Sequence, residues 1–175
     1  CESAAPGEGI WALVRHAHIT RDAGWLSEVF PAVERRARWI LRMLDAEEPL
    51  LRPGDGLTLA ARAREDADVV CYAREGGHIH GRMDWHCPDF YINCWACAGR
   101  WAAAEAADTL GRNAQARAWA DRANALEAEI ETVLLPRYGN DRDPCVAPYP
   151  TGLFAERGDV LRERFRRWYR QNRLD

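Results

Sequence analysis

The residues best equipped for chemistry lie in one short run, Gly81-Arg82-Met83-Asp84-Trp85-His86-Cys87-Pro88. Asp84 is flanked by Met83 and Trp85. An indole beside a carboxylate strips part of its water, which raises the carboxyl pKa and favours a proton donor. The competing structural role for Asp84 is a turn, or a pairing with Arg82. Asp66, Glu75 and Asp89 are the nearby acids that can partner it. Glu75 precedes Gly76-Gly77, which suits a loop facing the same cavity. Asp89 also fits a helix cap. Glu75 is thus the second catalytic candidate after Asp84.

Around these acids stand His78, His80, Arg82, Trp85, His86, Asp89, Tyr91 and Asn93. Flat rings bind the faces of sugars, while Asp, Asn, Arg and His supply hydrogen bonds to hydroxyls. Trp85, Tyr91 and Tyr149 fall on or beside long loops, and with an acid nearby the composition suits a carbohydrate cleft. Each ring equally suits a plug in a loop interior. His78, His80, His86 and Cys87 raise zinc, and Cys94 and Cys97 share a helix face. No second paired motif at finger-like spacing follows, so the two cysteines are expected in the core of an apolar helix. No metal and no cofactor are expected. His16 and His18 are two apart on a helix, hence on different faces.

These groups need elements to hold them. After the loop, Pro88 and Asp89 suit a helix entrance. Ile92, Trp95, Gly99, Ala102, Ala106 and Leu110 then recur at helical spacing, and Gly111 supplies a stop. The alanines and Gly99 let another helix approach closely. Upstream, residues 9–19 and about 25–44 carry helical patterns, with a break expected at Pro31. Residues 47–88 lack helical periodicity and are punctuated by Gly and Pro. Leu57-Thr58-Leu59 and Val69-Val70-Cys71-Tyr72 are candidate short strands. So long a connection in a compact domain usually carries function. Downstream, Asn113 is expected to cap a helix whose stripe is Ala116, Trp119, Ala123, Leu126, Ile130 and Val133, with Pro136 ending the run. A Pro/Gly-rich loop over 136–158 leads to a last helix from Asp159, with Leu161, Phe165, Trp168 and Tyr169 inward. The fold class is all-α: antiparallel helix hairpins at about 9–46 and 90–134, a further helix over 159–172, and one domain over 1–175.

The chain has 175 residues, 47% of them hydrophobic, with eight Trp. That is enough for one domain with a real core, and it excludes disorder. No apolar run approaches the 18 or so residues a membrane span needs. The net charge of −3 gives no broad attraction to nucleic acid, and the arginines of the last helix are expected to be a solvated face. All 24 basic residues are Arg, consistent with a GC-rich bacterial genome. Six Cys with no clear disulfide geometry favour a reducing, cytoplasmic setting. Cys1 at the start is expected to mark a sequence fragment rather than a lipidated terminus.

The hairpin Trp11-Ala-Leu, His16, Thr20-Arg-Asp, Leu26, Phe30-Pro31, Trp39-Ile40 resembles those of six-hairpin, or (α/α)6-barrel, glycosidases. Met83-Asp84-Trp85, Tyr91-Ile92-Asn93-Cys94-Trp95 and Leu110-Gly111-Arg112 are similar to the stretch in debranching-type amylo-glucosidases that reads Trp-Met-Asp, a short loop, a helix, then Leu-Gly. The resemblance implies that Asp84 is the general acid of an inverting glycoside hydrolase. Arg82 stands where the family has Trp, and Tyr91 where it has Glu. A toroid of twelve helices needs roughly 270 residues. The chain then corresponds to part of an (α/α)6 toroid, with the base on a later hairpin. The expected partners are a carbohydrate and either the remainder of the barrel or another copy. Two other classes compete. One is a helical-repeat interaction module, although no 34-residue period is visible. The other is a zinc-binding helical domain.

Overall fold

A computed structural model describes residues 3–47, 50, 73–81, 89–138, 146–154 and 158–172. Its elements are α1 (Ala5–Thr20), α2 (Ala23–Asp45), β1 (Ala73–Glu75), β2 (His78–His80), α3 (Asp89–Thr109) and α4 (Asn113–Glu129). A π-helical turn (Ile130–Leu134), α5 (Leu135–Tyr138) and α6 (Gly158–Asn172) follow. The class is all-α, with one two-stranded hairpin among the described residues. The candidate strands at 57–59 and 69–72 lie outside the described residues.

The first helix starts earlier than position 9, because Pro6 in its first turn suits a helix entrance. Arg21 ends it in the left-handed conformation, φ 56°. Asp22 then caps α2, its Oδ1 accepting from the Trp25 amide at 2.8 Å. So α1 and α2 are joined by only two residues. The break expected at Pro31 does not occur: α2 runs unbroken through it. Pro31 is exposed, so the carbonyl it leaves unbonded faces water, which tolerates the loss. The inward stripe Leu26, Phe30, Val33, Ala37, Ile40 and Leu44 is buried along the whole helix. Burial of such side chains is worth about 1.5–3 kcal/mol each.

α3 is the central helix. Rather than one apolar face, it buries nearly all of its circumference, from Asp89 to Ala107. It packs against α1 on one flank and α4 on the other, with α2 across a third side. The approach to α1 is set by two glycines. A Cβ built on Gly99 would lie 2.6 Å from the Gly7 Cα, and one on Gly7 would strike the Trp95 carbonyl. At the far end of the bundle His18 of α1 meets Glu105 of α3 at 3.5 Å.

Gly111 stops α3 at φ +72°. Asn113 does not cap the next helix. The N-cap is Arg112, with no side-chain cap, and its guanidinium lies 4.2 Å above the Phe30 ring instead. Phe30 also stacks on Trp119, centroids 6.1 Å apart, tying α2 to α4. Gln115 donates to Glu34 at 2.7 Å, and Arg122 pairs with Asp45.

Two expectations about the end of α4 fail together. Pro136 does not stop the helix, and Val133 is 39% exposed while Leu134 is fully buried. The π turn explains both. Its extra residue per turn moves the inward stripe from 133 to 134. The wider turn also shifts the carbonyls that a proline ring would strike in a regular α-helix. In α6, Phe165 and Tyr169 are 40% and 54% exposed rather than inward.

The two glycines test the packing account. Gly99→Ala is expected to destabilise by about 1–3 kcal/mol through overpacking against Gly7. Gly111→Ala has nothing within 4 Å of its new Cβ. It should lose only about 1 kcal/mol, through its left-handed backbone. Urea unfolding of both variants checks the contrast.

Candidate functional site

The site is assembled at the end of the bundle opposite the two short links. β1 and β2 pair antiparallel, Ala73 with His80, Arg74 with Ile79 and Glu75 with His78. Gly76 and Gly77 form the two-residue turn, with φ 68° and 99°, values that suit a glycine pair in a tight hairpin. Gly77 also makes room, since a Cβ there would lie 3.3 Å from the Glu129 carboxyl carbon.

Asn93, fully buried on the first turns of α3, clamps this hairpin to the helix. Its Oδ1 accepts from the Ile79 amide at 2.8 Å, and its Nδ2 donates to the Ile79 carbonyl at 2.7 Å and to the Asp89 carbonyl at 2.8 Å. An Asn side chain has the donor and acceptor to satisfy both polar groups of one residue, as a neighbouring strand would. His78 is buried, and its Nδ1 meets Glu129 at 3.1 Å. Glu129 is the last α-helical residue before the π turn, so the widened turn lies beside the site. His80, 45% exposed, reaches the buried Asp89 through Nδ1 at 3.0 Å. A carboxylate accepts, so Nδ1 is the ring nitrogen that donates, and Asp89 orients the ring. Tyr91 donates to Glu8 of α1 at 3.1 Å and sets its ring edge-on to Trp95.

The structure therefore brings together His78, His80, Asp89, Tyr91 and Asn93. Burial gives His78 and Asn93 positioning parts: they hold the hairpin and do not reach outward for a ligand. Asp89 goes beyond an ordinary helix cap, because its carboxylate orients His80. Glu75 occupies the last position of β1, in a strand rather than a loop, beside His78 across the ladder. Asp84, Arg82, Trp85 and His86 lie outside the described residues. The chain enters that stretch at the buried Gly81, whose missing Cβ makes room for Ser3, and leaves it at the buried Asp89. Tyr149 is 82% exposed, in a turn whose Thr151 borders a groove on the flank of α3, away from the hairpin.

Three partners were not legible beforehand: Glu8, Glu129 and Arg100. Glu8 and Glu129 carried no local signal, since each is one acid among many on a helix surface. Arg100 had one, a lone charge inside the apolar run Cys94 to Ala104. It is fully buried, and one nitrogen donates to the Trp119 carbonyl at 3.1 Å. Burial, with Arg122 nearby, pushes its pKa down to about 10. Cys94 and Cys97 lie buried in the core, where the Cys97 thiol donates to the Ala123 carbonyl at 3.6 Å. Among the described residues no group of three or more His, Cys, Asp or Glu stands ready to hold a metal. No helix among them is long and apolar enough to cross a membrane. Comparison with protein families, curated proteins and solved structures finds no match to the chain.

Two measurements follow from this geometry. Asn93→Leu keeps the branched skeleton but strands the Ile79 amide and carbonyl, each about 1–3 kcal/mol when buried and unpaired. The variant should unfold at lower urea, and its Ile79 amide should exchange with solvent faster. The second concerns Cys97, whose thiol burial pushes well above the ordinary range. The unfolded thiol loses its proton near pH 8.5 while the folded one keeps it. The unfolded chain then binds fewer protons, so this group's stabilisation is full below that pH and falls as pH rises. Cys97→Ala should flatten the alkaline decline in unfolding free energy. An identical slope in the variant would remove Cys97 as its source.

Proposed function

We propose that the chain is a segment of an inverting glycoside hydrolase of the six-hairpin type, acting on glucosidic or related oligosaccharides in the cytoplasm. One observation supports it above others. The Asn93 clamp fixes the hairpin to the start of α3, so both flanks of the Asp84 run are anchored, with the His80–Asp89 pair at the point where the chain re-enters the core. Such a base suits a catalytic run: rigid on both sides, polar at its mouth, and carried at the loop-bearing end of helix hairpins.

In this mechanism Asp84 gives its proton to the glycosidic oxygen as the bond to the anomeric carbon breaks. A second carboxylate, roughly 6.5–9.5 Å away, takes a proton from a water that attacks the opposite face. In the family this stretch resembles, that carboxylate stands on a later hairpin, and Glu75 is the second acid to test within this chain. His80, oriented by Asp89, offers a polar group for a sugar hydroxyl. Tyr91, Trp85, Arg82 and His86 complete the proposed pocket. The remaining hairpins of the toroid, or a second copy, would cover the flanks of the bundle.

Asp84→Asn keeps size and hydrogen bonding but cannot deliver a proton. General acid catalysis contributes about 10²–10⁴-fold, so turnover of a natural disaccharide should fall by that order in the full enzyme. An aryl glycoside, whose leaving group needs no proton, should lose far less. Equal losses on the two substrates would remove Asp84 as the acid and leave Glu75 as the next residue to test.

A further inference from the structure

A groove of about 500 Å³ runs along the flank of α3, between α1 and α4. It is lined by Trp11 and Trp101 and by the small, buried Ala102 and Ala116, and the exposed Glu105, which also meets His18, and the exposed Asp108 stand on its rim. A floor of alanines between two indoles has the shape that receives bulky side chains from a packing helix. Arg117 is the basic residue among the groove's neighbours.

The same chain carries a helix of the complementary kind. On α6, Phe165 and Trp168 stack with centroids 5.8 Å apart, and Phe165 and Tyr169 lie at 6.3 Å. These rings form a ridge one turn long, with Phe165 and Tyr169 standing well into solvent. Beside the ridge, Arg166 and Arg170 are one turn apart and therefore share a face. An aromatic, arginine-flanked ridge matches a small-floored groove with a carboxylate rim in both shape and charge.

We infer that α6 of one copy docks its Phe165–Trp168–Tyr169 ridge into the Trp11/Trp101 groove of a second copy, with Arg166 and Arg170 facing Glu105 and Asp108. The exchange is reciprocal, so it closes as a two-fold dimer. In the single chain Phe165 and Tyr169 of the ridge stand in solvent, and Thr151 is among the residues that line the groove. The area is sufficient. Aromatic side chains present about 150–250 Å² each, of which Phe165 exposes 40%, Tyr169 54% and Trp168 less. Six rings across the dimer, with the groove surface they cover, come to roughly 1,200 Å², the lower end of stable interfaces.

Sedimentation equilibrium of the full chain over a range of concentrations is the test. The wild type should show a monomer–dimer equilibrium that weakens as salt screens the rim charges. Phe165→Glu should be monomeric. So should the double variant Glu105→Arg/Asp108→Arg, whose exposed positions leave the core untouched and whose helicity by circular dichroism should match the wild type. Mixing that variant with Arg166→Glu/Arg170→Glu should restore a heterodimer, because the reversed charges again oppose. A wild type that remains monomeric at high concentration would overturn the docking, and so would a compact monomer whose ridge closes onto its own groove. Dimers that survive both disruptive variants, or fail to return in the charge-swapped mixture, would overturn it as well.

Discussion

Asn93 is the hinge of the structure's logic. One side chain closes three hydrogen bonds with two backbone residues, Ile79 and Asp89, that are fourteen and four positions away. Without it, the hairpin amide and carbonyl at Ile79 would be buried with no ladder partner. With it, a two-stranded ribbon too small to be stable alone becomes an extension of α3. The polar groups of the hairpin are placed by that clamp. His78 turns towards Glu129, His80 towards Asp89, and the chain enters and leaves the Asp84 run at buried positions.

The clamp works because α3 itself is immobilised. Gly7 and Gly99 bring two backbones into contact, and the alanines along α3 let α4 close on the other side. A helix buried around nearly its whole circumference can hold polar side chains at its first turn in fixed rotamers. The same burial carries costs. Arg100 sits in the interior with its guanidinium partly desolvated, and Cys97 is shielded from ionisation. At the end of α4 the π turn changes the inward register just after Glu129, so the residue that receives His78 lies where the helix geometry changes.

Much of this was legible in the chain, and the rest failed for identifiable reasons. The helical class, the two hairpins, the Gly111 stop and the close approach at Gly99 followed from spacing and small residues. Pro31 and Pro136 misled, because a proline breaks a helix only when its lost hydrogen bond and ring clash have no remedy. Solvent supplies one at Pro31 and a widened turn supplies the other at Pro136. Asn113 opens the helix instead of capping it, and Arg112 at the cap position lays its guanidinium over the Phe30 ring. At the site, the histidines and Asp89 stood out by type, but their partners did not. Glu129 lies 51 positions from His78 and Glu8 lies 83 from Tyr91. Only the tertiary fold brings such pairs together. Asn93 read as a sugar contact by composition, and burial made it a strut.

The loop-bearing end is the proposed place where sugar meets protein, and His80 is its reporter. Its side chain is half exposed, it is oriented by Asp89, and it lies close in sequence to the Asp84 run. The most direct measurement is the imidazole NMR signal of His80 during titration with a short glucosidic oligosaccharide. Binding at this end predicts a saturable shift of the His80 ring resonances, while those of His16 at the far end of the bundle stay in place. His80 resonances that do not move, or that move no more than those of His16, would contradict a carbohydrate site here.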